Sequence, residues 1–143
     1  MKVEFRKAES SEFSSELIQE NMEPYYLAKG ITWDSTFFDR HWTLFKNLEV
    51  YCNSERVGVV RFSFNDENCY IRDLQIKSSY QGRGIGSDCL HYGIDLATAR
   101  GDRFIKLKVF SDNPAIALYQ RYGFKKVSEV GGLTAMALEL NPV

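Results

Sequence analysis

The sequence predicts an α+β fold built on a mixed β-sheet. Two observations carry this reading. Short alternating segments separated by turn residues make an antiparallel meander up to Ile76, and a glycine loop then joins a strand to a long helix with another strand beyond it. Strand, helix, strand in series is a right-handed crossover, so those two strands should lie parallel within an otherwise antiparallel sheet.

Met1 to Lys7 alternates apolar Val3 and Phe5 with charged Lys2, Glu4 and Arg6, the pattern of a half-buried strand. Ser10 or Ser11 can cap a helix carrying Phe13, Leu17 and Ile18 on one stripe, and Pro24 should end that helix or open a second short one. From Ile31 to Phe45 the chain is crowded with Trp33, Phe37, Phe38, Trp42 and Phe45 and has no clean period, so it reads as helix or loop. Strands are expected at Leu48 to Cys52 and Val57 to Phe64, split by Asn53-Ser54-Glu55-Arg56, and at Tyr70 to Ile76 after the turn Asn65-Asp66-Glu67-Asn68. A helix from about Ser87 to Arg100 has Cys89, Leu90, Leu96 and Ala97 for its buried side, and a strand from Phe104 to Phe110 follows. Asn113 as N-cap and Pro114 at the first helical position open the next helix, which runs to Tyr122 and stops at Gly123. Phe124 to Val130 and Thr134 to Leu140 flank Gly131-Gly132 as the last strands. With no repeats, low-complexity tracts or linkers, residues 1–143 read as one domain.

A chain of 143 residues buries roughly 70% of its unfolded surface and folds without staples. At 44% hydrophobic and 26% charged the composition is that of a soluble globular protein, and 14% aromatic suggests a ring-lined pocket as well as a core. A formal net charge of -1 argues against a domain that coats nucleic acid or an anionic membrane, so any anion must be held locally. Cys52, Cys69 and Cys89 are odd in number and lack CxxC spacing, which indicates neither a disulfide framework nor a zinc site but free thiols of a reducing cytoplasm. The start, MKVEFRKAESSEF, has no apolar signal core. No later window approaches the ~18 apolar residues of a membrane span. The expectation is a cytoplasmic protein.

The segment Leu74 to Leu90, LQIKSSYQGRGIGSDCL, places Gly82, Gly84 and Gly86 between a strand and a helix. The first N–H groups of a helix have no partner within it and lie at the positive end of its dipole, where a phosphate fits. Glycines remove the Cβ atoms that would hold a diphosphate away and permit positive φ, while Arg83 adds a counter-charge and Gln81 and Ser87 add donors. The alternative is a tight turn whose glycines serve packing. An ATPase P-loop needs Lys-Ser/Thr after its last glycine, and here Ser87-Asp88 follows Gly86. A dinucleotide fingerprint should open the domain after a continuous apolar strand, whereas YIRDLQI is half polar and arrives mid-chain.

Gln81-Gly82-Arg83-Gly84-Ile85-Gly86 resembles the Q/R-x-x-G-x-G/A signature of the GNAT superfamily of N-acetyltransferases. Asn113-Pro114-Ala115-Ile116-Ala117-Leu118-Tyr119 followed by Tyr122-Gly123-Phe124 is similar to that family's N-P-A-x-x-L-Y-x-x-x-G-F segment. The resemblance implies a GNAT-like domain whose central mixed sheet of about six or seven strands, antiparallel with a central parallel pair, is flanked by about four helices. It implies acetyl-CoA as co-substrate and no metal. Leu74, Gln75 and Ile76 would offer backbone groups to the pantetheine arm and the thioester, and the pyrophosphate would lie on Gly82, Arg83, Gly84, Ile85, Gly86 and Ser87 with Gln81 beside them. Asn113 would bond the arm or only cap its helix, and a shift of one place would select Asp112 instead. Tyr119 would give a proton or hydrogen bond to the leaving sulfur, the alternative being a helix residue packed on the sheet.

The implied reaction is transfer of acetyl to a primary amine of a small molecule, a peptide N-terminus or a lysine by direct attack in a ternary complex. A non-catalytic acyl-CoA sensor and a transferase of longer acyl groups are the alternatives. Some members carry a glutamate where this chain has Lys108, a departure that leaves the general base to Asp73, Glu67, Asp66 or water, with His41 and His91 weaker candidates. Acceptor specificity is expected in Trp33-Asp34 through Trp42, where Asp34 and Asp39 could attract a cation. No nucleic-acid or membrane partner is expected, and the C-terminal strands could supply the contact of a homodimer.

Overall fold

The computed structural model describes residues 2–140. Met1, with which the first predicted strand opened, lies outside them. Seven strands form a sheet in the order β1-β2-β3-β4-β5-β7-β6, and four α-helices accompany it. The strands are β1 (Val3–Lys7), β2 (Lys46–Cys52), β3 (Glu55–Asn65), β4 (Asn68–Ile76), β5 (Phe104–Phe110), β6 (Lys125–Val130) and β7 (Leu133–Glu139). The helices are α1 (Glu12–Lys29), α2 (Ser35–Trp42), α3 (Ile85–Arg100) and α4 (Ala115–Arg121). The chain divides into two compact units, one comprising the residues up to Arg61 with Asp73–Asp88, the other Phe62–Arg72 with the residues from Cys89 onward.

In the first unit, β1 pairs antiparallel with β2 from Val3↔Cys52 to Lys7↔Leu48. Asn53 and Ser54, both at positive φ (50° and 72°), make the tight β2–β3 turn whose backbone suits the twist of a hairpin. β3 is buried from Val57 to Phe62, which explains its nearly continuous apolar run. Leu17, Ile18, Phe38 and Val59 form a core cluster, against which Phe13, Met22, Trp33 and Trp42 pack. Pro24 does not end α1, contrary to the expectation: the helix runs through it for 18 residues. Proline removes one N–H, but Pro24 and Glu20, whose carbonyl loses its partner, are both exposed, so water can meet that carbonyl. The left-handed Gly30 (φ 67°) stops the helix instead. The illegible aromatic segment is a short helix, α2, opened by Asp34, whose Oδ1 accepts from Phe37 N at 2.9 Å. Phe38 is buried and Phe37 is 58% exposed, so aromatic rings stand on both faces and no period emerges.

In the second unit, β5 pairs parallel with β4 from Asn68↔Phe104 to Ile71↔Leu107, as the crossover rule requires, and antiparallel with β7 from Phe104↔Glu139 to Phe110↔Leu133. Phe62, Cys69, Cys89, Leu90, Ile105 and Met136 are almost wholly buried there. A Cβ on Gly93 would stand 2.9 Å from the Phe62 ring, so a glycine lets α3 lie close on the strand beneath it. The edge strand β6 is exposed along its length and carries a bulge between Lys126 and Ser128. All three cysteines are buried free thiols.

Burial first, and then the nearby Asp102 carboxylate, push the Cys69 thiol from 9.0 up to about 12, with Arg100 opposing. The unfolded chain therefore releases this proton near pH 9 and the folded chain only near pH 12, so unfolding is favoured as pH rises through that window. Equilibrium denaturation should show stability falling between those limits, with part of the slope removed in Cys69→Ala. A steric prediction concerns Gly58, where a Cβ would lie 2.7 Å from both the Gln75 carbonyl oxygen and Ile76 Cδ1. Gly58→Ala should cost about 1–3 kcal/mol, a fall in Tm of roughly 3–10 °C by calorimetry.

Candidate active site

The β4–α3 connection gives the first unit its most distinctive backbone. Ser78–Tyr80 forms a single 3-10 turn, and Gly82 (φ 75°) and Gly84 (φ 85°) then adopt left-handed conformations that few other residues tolerate. A Cβ at either position would meet no protein atom within 4 Å, so these glycines serve conformation and leave open space over the loop. The first bond of α3 runs from Asp88 N to the Gly84 carbonyl at 3.1 Å. The N–H groups of Ile85, Gly86 and Ser87 precede it, which makes them the donors that a helix N-terminus offers to an anion. The Arg83 guanidinium sits 4.9 Å above the Tyr80 ring, and the Tyr80 hydroxyl donates to Glu55 Oε2, a bond that raises the phenol above its ordinary pKa.

The last residues of β4 are ordered from β3. The Gln75 carbonyl lies against Gly58, and Lys77 N donates to the Val57 carbonyl at 2.8 Å. Backbone groups alternate along a strand, so the N–H and C=O of Leu74 and Ile76 point to the edge away from β3. The Ile76 carbonyl accepts two side-chain amides there, from Asn21 Nδ2 and Gln81 Nε2, each at 3.0 Å. Gln81, expected to add a donor to the loop, has its amide held on the strand. Asn21 also donates to Gln75 Oε1 at 3.1 Å, which fastens α1 to this segment.

Behind these residues Arg61 Nη1 meets Asp73 Oδ2 at 2.7 Å, with side chains 4% and 21% exposed. Its Nε donates to Asn47 Oδ1 at 2.8 Å, and Asn47 Nδ2 donates to the carbonyls of Trp42 and Phe45 at 2.6 and 3.0 Å. The guanidinium carbon lies 4.5 Å from the Phe38 ring and 4.8 Å from that of Phe45. Trp33 packs on Phe38 with ring centroids 5.0 Å apart and stacks on Tyr26 at 6.3 Å. Burial, followed by the charge of Asp73, raises the Tyr26 phenol. Asp73, a general-base candidate of the sequence, is thus held by the buried Arg61, and Arg72 Nε donates to Ser63 Oγ.

In the second unit Tyr119 is 7% exposed on α4, its ring edge-on to Phe124 at 5.9 Å. α4 starts one place later than expected, with Pro114 as its N-cap residue, and Asn113 Oδ1 accepts from Ala115 N at 2.8 Å, so the Asn113 side chain satisfies the first N–H of the helix. Lys108 is an exposed residue of β5 opposite Ala135. Asp66 and Glu67 are exposed in the β3–β4 turn. Leu74 is seven steps along the chain from Glu67, roughly 23 Å of extended strand. His91 is exposed and edge-on to Tyr122, whereas His41, in the first unit, donates from Nδ1 to the Phe37 carbonyl at 2.8 Å. Among the described residues no cluster of His, Cys, Asp or Glu could hold a metal, and no helix is long and apolar enough to cross a membrane.

A profile of the acetyltransferase (GNAT) family matches residues 4–124, which include the glycine loop, both arms of the crossover and the α4 segment. The chain belongs to the acetyltransferase (GNAT) family. Among curated GNAT relatives, an uncharacterized N-acetyltransferase of Methanocaldococcus jannaschii is 34% identical over 46% of this chain and 30% of its own. Thialysine N-epsilon-acetyltransferase of Bos taurus is 30% identical over 52% of this chain and 46% of its own. The chain thus spans less than half the length of these relatives. The GNAT fold itself is shared along nearly the whole chain with the PaiA N-acetyltransferase of Thermoplasma acidophilum, solved in complex with coenzyme A (TM-score 0.78, 18% identity, 98% of this chain and 100% of that one).

Asn21, Asn47 and Arg61 escaped the reading of the sequence. An arginine inside the run VGVVRF was the available signal, since a charge in a strand otherwise built for burial needs a partner.

Proposed function

We propose that this chain is an N-acetyltransferase that moves acetyl from acetyl-CoA to a primary amine by direct attack in a ternary complex, with residues 1–143 forming one acetyltransferase domain. The observation that carries the proposal is the backbone of β4. The strand continues through Ile76, beyond the last pair of its ladder with β5 at Ile71↔Leu107, with the edge of Leu74 and Ile76 turned away from β3. An amide-bearing arm docks on such an edge as an added strand, here through Leu74 and the Ile76 N–H, since the Ile76 carbonyl already accepts from Asn21 and Gln81. Beyond it the glycine loop would hold the pyrophosphate on the N–H groups of residues 82–87, with Arg83 as counter-charge. The coenzyme A complex of the structural neighbour supports this donor, and the bovine relative's named side-chain nitrogen supports an amine acceptor.

In the proposed reaction the neutral amine attacks the thioester carbonyl carbon. A backbone N–H of the Leu74 to Ile76 strand meets the oxyanion. The intermediate collapses with cleavage of the C–S bond, the thiolate takes a proton from Tyr119, and the proton that the acetylated nitrogen gives up returns through water to the Tyr119 phenolate. The amine nitrogen must lose a proton first, at about 4–5 kcal/mol for a lysine-like amine at pH 7. Asp73 already has a strong partner in Arg61, so water is the preferred acceptor of that proton. Both Arg61–Asp73 and Lys108 also motivate a second reading, a non-catalytic acyl-CoA sensor.

Titration calorimetry should detect coenzyme A uptake by the wild type. In Gly84→Val uptake should weaken about tenfold or more, because a β-branched residue resists φ 85°; no uptake by the wild type would end the proposal. Thiol release measured over a panel of amines separates enzyme from sensor, since a sensor binds without turnover. Tyr119→Phe should lower kcat by about 10²-fold or more while coenzyme affinity stays nearly intact, and an unchanged rate would remove Tyr119 from the chemistry.

A further inference from the structure

We propose that Arg61 is the positioning residue of the acyl-transfer site, holding Leu74–Ile76 and the aromatic α2 segment in one register through its ion pair with Asp73. The inference rests on the reading of Leu74–Ile76 as the docking strand of the coenzyme.

The guanidinium is engaged through two of its nitrogens and against two rings. Its two rings, Phe38 and Phe45, come from α2 and the segment after it; its Nε holds Asn47 on β2; its Nη1 holds Asp73 on β4. Asn47 passes the constraint on, because its amide fixes the carbonyls of Trp42 and Phe45 at the end of α2. One planar group therefore sets both the residue preceding Leu74 and the wall carrying Trp33, Phe38 and Trp42. A guanidinium is a rigid fork with donors along its edge and stacking faces, whereas a lysine ammonium at this position could reach Asp73 but could not hold Asn47 and both rings as well. Displacement of a docking strand by about 1 Å is enough to reduce a positioned reaction about 10²-fold.

The test reads the strand directly, with coenzyme A as the probe and amide hydrogen exchange followed on peptides covering residues 73–76 and 82–87. In the wild type coenzyme A should slow exchange in both segments. In Arg61→Lys and in Asp73→Asn, protection at 82–87 should stay within about threefold of wild type while protection at 74–76 falls about tenfold or more, with no further loss in the double variant. Asp73→Asn keeps an acceptor for the buried guanidinium and keeps the test open should Arg61→Lys fail to fold. Full protection of 74–76 in a folded variant would overturn the proposal, as would equal loss in both segments, which a general loosening produces. Absence of protection in the wild type would overturn the coenzyme reading and this proposal together, a result distinct from protection retained by the variants.

Discussion

The alternation of backbone groups along the end of β4 is the constraint on which the proposed chemistry depends. Gln75 turns its carbonyl toward Gly58, and Lys77 donates to Val57, so Leu74 and Ile76 present their groups on the opposite edge. The period of a strand is two, and a slip of one residue would exchange the edges. Gly58 matters because any side chain there would press on the Gln75 carbonyl. A glycine on β3 thus helps decide which backbone groups of β4 are offered outward.

Arg61 bears on the same segment by a different kind of force. Removing a guanidinium and a carboxylate from water is costly, and their attraction offsets the cost only when the geometry is good and the other donors are satisfied. Breaking such a pair costs about 3–5 kcal/mol, against a total stability of about 5–15 kcal/mol for a domain. An apolar pair of similar volume would often stabilise as much, so stability alone does not account for a charge inside β3. What a hydrophobic pair lacks is direction: Arg61 specifies the positions of Asn47 and Asp73 to within a hydrogen bond.

The crossover, the parallel pairing and the glycine loop were legible in the sequence because each is a local pattern with a fixed consequence. Strand, helix, strand leaves one handedness, and alternate glycines at the mouth of a helix mark a backbone that needs positive φ, as Gly82 and Gly84 have. Asn113 before Pro114 was legible as a helix start for the same reason, and its side chain meets the Ala115 N–H, although the N-cap position itself falls one place later, on Pro114. Pro24 misled, because a proline excludes one hydrogen bond but does not by itself end a helix whose exposed side can be hydrated. The α2 segment resisted reading because its eight residues put aromatic rings on both faces. Arg61 and Asp73 are twelve residues apart and pair across adjacent strands, a register that follows from the turn at Asp66 and from no local pattern.

On the proposed reading, the Arg61–Asp73 pair also shapes how the acceptor amine must be activated. The Asp73 carboxylate is already engaged by the buried Arg61 guanidinium at 2.7 Å, a structural pair that an incoming amine would have to compete with. Asp66 and Glu67 sit at the other end of β4, roughly 23 Å of strand from Leu74, and Lys108 carries a positive charge. Proton removal at pH 7 then costs about 4–5 kcal/mol for a lysine-like amine but only about 1 kcal/mol for an amine whose own pKa lies near 7.7–8.0, as an α-amino group's does. On that reading, a chain whose Asp73 is held by Arg61 is better suited to acceptors of lower pKa, and the pH profile for a lysine-like amine would rise steeply toward alkaline pH where that for an α-amine levels off.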